Sequence, residues 1–133
     1  MFPVSTRQRT ETILARVALA DLASALDALE IGPGEYLKDL VVDVTTAFDS
    51  GTSDVIAVAL RNEADDGDAH VFSASVSVAT AGRKAMTAYA GDVATGNRKL
   101  RITHTPDGTA ATEGEVLVMA TVVAENRGGR VYG

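Results

Sequence analysis

Few residues in this chain of 133 could do chemistry, and they stand far apart. The two histidines are His70 and His104, and neither has a second histidine at the spacing of a metal site. Cysteine is absent, which excludes disulfides and thiolate metal sites. His104 follows Ile102 at the period of a strand, so we expect it to close a buried face. We expect His70 at the end of a loop.

The acidic stretch NEADDGDAH suggests calcium because three aspartates flank Gly67. If Gly67 is aligned with the loop glycine of an EF-hand, Ala64 falls where an oxygen ligand belongs. Ser73 then falls where the bidentate glutamate should be. The stretch is therefore predicted to be a solvated acidic turn.

Paired carboxylates are the remaining catalytic candidate. Asp43 and Asp49 would stand roughly 20 Å apart in an unbroken strand at ~3.3 Å per residue, far beyond glycosidase geometry. No nucleophile elbow, P-loop or dinucleotide fingerprint is present in the sequence. We expect no catalytic residue, no cofactor and no metal, and we do not expect an enzyme.

Composition predicts one β-rich domain. Hydrophobic residues make up 46% of the chain and aromatic residues only 5%, so the core must consist mainly of Val, Ala, Leu and Ile. The formal net charge of −6 argues against nonspecific nucleic-acid binding. No apolar run approaches the ~20 residues that cross a bilayer, and the N-terminus lacks a signal-peptide core. We expect neither nucleic acid nor a membrane as a partner.

Alternating apolar residues predict strands that each have one buried face. The inward faces are Leu40, Val42, Val44, Thr46 and Phe48; Ile56, Val58 and Leu60; Phe72, Ala74, Val76 and Val78; and Leu100 and Ile102. The segment EVLVMATVVAE is apolar on both faces, because Leu117, Met119 and Val123 oppose an equally apolar side. Such a strand is either central under a cover or part of a subunit interface.

The segment from Thr12 to Leu29 supports two interpretations. Leucine and alanine recur at three- and four-residue spacing, which favours a helix closed by Gly32 and Pro33. A strand also fits, because Ile13, Ala15, Val17 and Leu19 would lie on one face. The apolar Leu14, on the opposite face, breaks the alternation.

The turn sequences resemble those of a known group of proteins. The segments LVVDVTTAFDSGTSDVIAVAL, ATAGRK and THTPDGTAATEGEVLVMATVVAE resemble a layout in small virion proteins of tailed bacteriophages. There, a V-T-T-A-F strand and a D-S-G-T-S-D turn are followed by a G-T-A-A-T-x-G-E turn and a last strand. The match runs roughly from Leu37 to Glu125. Such proteins are similar to capsid decoration, or cement, proteins with a jelly-roll β-sandwich, as in podophages that infect Bordetella.

This resemblance implies a fold and a division of the chain. The expected fold is an antiparallel jelly-roll-like β-sandwich over residues 12–125, with an extended arm at 1–11 and a flexible tail at 126–133. On the basis of this resemblance, Ile13–Ala20 is predicted to be a strand, with a possible short helix over residues 23–29.

The implied function is binding to the outside of an assembled capsid, across subunit boundaries. The expected partners are the major capsid protein and other copies of the chain, as a dimer or trimer. The expected location is the virion surface, after synthesis in the host cytoplasm. The expected contacts are an apolar strand face and cationic ends, namely Arg7, Arg9, Leu117, Met119, Val123, Arg127 and Arg130. The alternatives are a receptor- or carbohydrate-binding head protein and a neck or tail-completion protein.

Overall fold

The computed structural model describes residues 7–50, 54–86, 94, 96–106 and 110–126. These residues form two four-stranded antiparallel sheets. The strands are β1 (Arg7–Ala18), β2 (Leu26–Ile31), β3 (Glu35–Thr46), β4 (Asp54–Arg61), β5 (Asp68–Ser77), β6 (Gly82–Ala85), β7 (Arg98–Pro106) and β8 (Glu115–Asn126). None of the described residues forms a helix long and apolar enough to cross a membrane.

The strand pairing is that of a long hairpin rolled into a sandwich. β1 pairs with β8, β2 with β7, β3 with β6 and β4 with β5, all antiparallel. Lateral pairs of β3 with β8 and of β4 with β7 complete the sheets β1-β8-β3-β6 and β2-β7-β4-β5. This nested order is the jelly-roll topology, so the predicted β-sandwich is confirmed.

The inward faces of the strands follow the predicted alternation closely. Leu40, Val42 and Val44 of β3 are buried, as are the predicted inward residues of β4 and β7. The exceptions are Thr46, at the end of β3, and Ala74, which is exposed. β5 has register shifts against β4 on both sides of Val58, and these bulges break the alternation at Ala74.

The segment from Thr12 to Leu29 contains no α-helix, so both helical predictions are wrong. Most of its first part lies in β1, a short 3₁₀ turn covers Leu19–Leu22, and the second predicted helix is replaced by β2. Burial against the second sheet outweighs helix propensity here, because Val17 is buried and Ile13 packs against the core. Leu14 breaks the strand pattern because its side chain is 61% exposed on the outward face.

Residues 7–11, which were predicted to belong to an extended N-terminal arm, lie in β1, and residues 1–6 lie outside the described part of the chain. β1 begins at Arg7 and its residues 7–11 pair with β8, so they belong to the sheet. Asn126, predicted to open the tail, is the last residue of β8 and lies opposite Arg7. Residues 127–133 lie outside the described part of the chain.

One end of the sandwich is closed by Phe48 packed on Gly114. A Cβ atom built at Gly114 would lie 2.5–2.7 Å from three ring atoms of Phe48, closer than real Cβ contacts. Phe48 is also tied to the second sheet, since its N–H donates to the Val78 carbonyl at 2.9 Å. Only glycine fits at residue 114 without moving this buried ring.

We predict that Gly114→Ala lowers the free energy of unfolding by about 1–3 kcal/mol, the usual cost of overpacking. Chemical denaturation monitored by circular dichroism measures this loss. Gly67→Ala is the matched control, because its Cβ would meet only Asn62 Nδ2 at an ordinary 3.5 Å. Equal stability of the two variants would contradict the packing described.

Candidate functional site

An apolar row crosses the outward face of the β1-β8-β3-β6 sheet. Strand register places Leu14 opposite Met119, Met119 opposite Val41, and Val41 opposite Ala85. Directly opposed residues of antiparallel strands project to the same side of the sheet. Leu14 and Ala85 are exposed, while Met119 and Val41 are half-buried. We call these four residues the outer apolar row.

Polar rows lie on either side of the outer apolar row. On one side, Arg16, Leu117, Asp43 and Arg83 stand opposite one another in turn across the four strands. On the other side, Thr12, Thr121 and Asp39 do so across three strands. The outer apolar row therefore lies between a border that contains Arg16, Asp43 and Arg83, which we call the charged border, and a border of two threonines and Asp39.

The charged border is tied down at the β1 side by an ion pair. Arg16 Nη1 lies 2.6 Å from Glu115 Oε1, and the Thr45 hydroxyl donates to the same oxygen at 2.9 Å. The Thr45 hydrogen bond first, and then that of Arg16, lower the pKa of Glu115. Glu115 is thus held as a carboxylate next to Arg16 of the charged border.

The predicted contact residues are only partly brought together on this face. Leu117 and Met119 lie on it half-buried, but Val123 is only 4% exposed, between Thr10 and Tyr36, so it offers little surface. Arg7 and Arg9 lie in β1, opposite Asn126 and Ala124. Arg127 and Arg130 lie outside the described residues.

Sequence reasoning missed three of the four residues of the outer apolar row. Leu14 carried a signal, since an apolar residue that breaks an alternation points outward. Val41 carried the same signal, since it lies between Asp39 and Asp43 on the outward face of its strand, whereas Ala85 carried none. The alignment of both with Met119 depends on the strand order.

The outward face of the other sheet has a different character. Arg101 binds Asp27 through two nitrogens and also reaches Asp65 at 3.3 Å. Arg61 in turn binds Asp65 at 2.9 Å and Asp68 at 3.0 Å. The Arg61 hydrogen bond is the main cause that lowers the pKa of Asp65. Two aspartates of the predicted acidic turn, Asp65 and Asp68, are therefore paired with arginines of the sheet.

A buried pair of titratable groups at the strand ends is Asp54 with His104. The carboxylate is 1% exposed and lies 2.5 Å from His104 Nε2, while its other oxygen accepts the Ser50 N–H at 2.8 Å. The His104 ring packs on Phe48 with centroids 5.0 Å apart. Burial alone would raise the pKa of Asp54, but the hydrogen bonds from Ser50 and His104 hold it below its ordinary value.

A second, exposed aspartate, Asp49, binds the loop that precedes β8 at the same end of the sandwich. Asp49 accepts hydrogen bonds from the Thr112 hydroxyl, the Thr112 N–H at 2.7 Å and the Glu113 N–H at 3.1 Å. The Thr112 hydroxyl is the largest cause of the lowered pKa of Asp49. Asp49 belongs to the segment VTTAFDSGTSD and Thr112 to the segment GTAATEGE, so the turn motifs bind each other.

These polar groups form a structural clasp between the two connections. Asp54 and His104 are buried against Phe48, with their polar atoms directed at each other and at the backbone. His70 lies inside β5, with its ring edge-on to Phe72, and not at a loop end. In the part of the chain that the structure describes, no three histidine or carboxylate side chains are grouped as metal ligands would be.

No known protein family and no curated protein matches this chain. Among solved structures, a chain in the capsid asymmetric unit of cyanophage Pam1 matches with a TM-score of 0.64 and 20% identity, over 88% of this chain and 86% of that one. A chain in the acidic stable capsid structure of Helicobacter pylori bacteriophage KHP30 matches with a TM-score of 0.55 and 10% identity, over 90% and 98%. Nearly the whole sandwich is thus a fold that also occurs in phage capsids.

We predict that Asp54→Ala lowers the free energy of unfolding by about 3 kcal/mol, because it leaves the Ser50 N–H and His104 without their buried acceptor. Asp43→Ala, on the outward face, is the control and should change stability by less than about 0.5 kcal/mol. Urea denaturation of both variants measures the difference. A loss no larger than that of the control would show that the buried pair does not hold this end together.

We also predict that acid loosens the clasp. Both aspartates have a folded-state pKa below the ordinary value of 3.8, so the unfolded chain binds protons more readily than the folded one. Their contribution is fully present above that value and is lost as the pH falls below it. Unfolding free energy measured between neutral pH and pH 3 should therefore fall at the acid end, and less steeply in the Asp49→Asn, Asp54→Asn double variant. An unchanged slope would contradict the assignment.

Proposed function

We propose that this chain is a structural protein of a tailed-phage virion that binds the outside of the assembled capsid and stabilises it across subunit boundaries. The observation that carries the proposal is the outer apolar row, which no described part of the chain covers. The fold it shares with chains of two phage capsid structures supports the same class of protein. The proposal involves no bond-breaking and no cofactor.

The difference between the two outward faces indicates how the chain would sit on a shell. On the other sheet, Asp27, Arg101, Asp65 and Arg61 already pair their charges with one another. Removing these partly exposed charges from water in a dry contact would cost free energy. The outer apolar row would instead gain from burial, by roughly 1.5–3 kcal/mol for each large side chain fully removed from water. We therefore assign the β1-β8-β3-β6 face to the shell and the other face to solvent.

The charged border would give this contact its orientation. Arg83, Asp43 and Arg16 stand in a line beside the outer apolar row, and charges at the rim of an interface set register and discriminate between partners. Cationic contacts with neighbouring subunits are a second part of the proposal, made by Arg7 and Arg9 at the start of β1 and by Arg127 and Arg130 after β8. The expected partner is the major capsid protein.

Stabilisation follows from where the chain binds. A protein that binds only the assembled shell shifts the assembly equilibrium by its own binding free energy. The sandwich suits this role because each of its eight described strands is hydrogen-bonded into one of two sheets, so these strands lose little conformational entropy on binding.

We predict that Met119→Glu weakens binding to purified, undecorated shells by roughly tenfold or more, since it buries an unpaired carboxylate in an apolar contact. Val71→Glu is the matched control, because Val71 is 47% exposed on the other sheet and should leave binding unchanged. Co-sedimentation of each variant with shells gives the affinity, and thermal release of the genome reports stabilisation.

Three results would overturn the proposal. Equal affinities of the two variants for the shell would show that the β1-β8-β3-β6 face does not make the contact. Few copies at one vertex would indicate a neck protein, and glycan binding without shell binding would indicate a receptor-binding protein.

A further inference from the structure

The edges of the two sheets are not equally protected. An edge strand exposes unpaired backbone groups, which proteins blunt by shortness or by bulges. β6 has four residues, β5 has three register shifts against β4, and β2 has one against β7. β1 has 12 residues and an unbroken register with β8. β1 is therefore the one long, regular edge in the described residues.

Two hydrogen bonds establish which residues of β1 face that edge. The Leu19 N–H donates to the Gly114 carbonyl, and the Ala18 N–H donates to the Asp21 carboxylate instead of to β8. Ala18 thus points its backbone groups away from β8. Because antiparallel bonding alternates and the register is unbroken, Arg16, Leu14 and Thr12 do the same.

The middle of this edge is apolar on both faces. Ile13 and Ala15 are half-buried and pack against the core, and Leu14 is 61% exposed on the outward face. A strand added here would complete the cover over Ile13 and Ala15 and would shield Leu14. It must itself carry apolar side chains on both faces at its centre.

We propose that β1 takes β1 of a second copy of this chain as its added strand. The two strands run antiparallel and are centred on Leu14, about a two-fold axis perpendicular to the sheet. β1 itself is apolar on both faces at its centre, as the added strand must be, because Ile13, Leu14 and Ala15 of one copy would lie against the same three residues of the other.

The register follows from matching side chains. Centring on Leu14 places each strand's edge-facing residues opposite edge-facing residues of its partner, as hydrogen bonding requires. No like charges then stand directly opposite each other. The facing pairs are Leu14 with Leu14, Ile13 with Ala15, Thr12 with Arg16, and Glu11 with Val17.

This dimer extends the outer apolar row without a break. The row would run from Ala85 through Val41, Met119 and Leu14 of one copy to Leu14, Met119, Val41 and Ala85 of the other. Both rows lie on the same side of one eight-stranded sheet, because the axis is perpendicular to it. The inference goes beyond the proposed function and does not depend on it, since the dimer forms without a shell.

Sedimentation of the full chain without shells tests the dimer. The wild-type chain should dimerise, and Leu14→Lys should weaken dimerisation by roughly tenfold or more by setting two ammonium groups on the axis. Val71→Lys, at another large apolar residue that is exposed, is the control and should dimerise normally. Circular dichroism checks that each variant is folded.

Oxidation of single-cysteine variants tests the register, since the chain has no cysteine of its own. Leu14→Cys should form a disulfide-linked dimer readily, because the Cα atoms of a hydrogen-bonded antiparallel pair stand roughly 5.5 Å apart, within disulfide reach. Thr10→Cys, also exposed, should not, because its two copies would stand roughly 26 Å apart along the strands.

A monomeric wild-type chain would overturn the inference and would leave an extended segment of another protein as the occupant of the edge. A trimer, or a dimer that Leu14→Lys leaves intact, would also overturn it. So would equal rates of oxidation at residues 10 and 14. None of these results bears on shell binding, which is measured separately through Met119→Glu.

Discussion

The pairing of β1 with β8 is the interaction on which the rest of this structure depends. It joins the first strand to the last over twelve residue pairs without a register shift, and so closes the roll of nested hairpins. The same pairing sets Leu14 beside Met119 and leaves the far side of β1 as an edge. The core, the outward apolar row and the open edge are therefore three consequences of one ladder.

A second constraint acts at the end where the β3–β4 and β7–β8 connections meet. Asp49, in the β3–β4 connection, accepts hydrogen bonds from the Thr112 and Glu113 amides of the β7–β8 connection. Asp54 and His104 bind each other in the interior of the same region. Phe48 fits over Gly114 between them. These contacts give the distinctive turn sequences a structural role: they build the clasp that holds the two sheets together at this end.

The sequence allowed much of the fold to be predicted but little of the surface. Alternation identified the inward faces of β3, β4 and β7, because one buried face imposes a period of two. It failed between Thr12 and Leu29, where strong helix formers are held in strands by pairing and burial that no local pattern reveals. On the surface, Met119 and Leu117 could be found within one strand. Their neighbours Leu14, Val41 and Ala85 come from three other strands, so strand order was needed to find them.

The central claim is that the outward face of the β1-β8-β3-β6 sheet lies on a phage shell. Cryo-electron microscopy of particles decorated with the full chain tests it most directly. The account predicts many copies over the shell, with the outer apolar row against capsid subunits and the network of Arg61, Asp65 and Arg101 in solvent. Copies that sit with the charged face on the shell, or shells that remain bare at saturating protein, would contradict it.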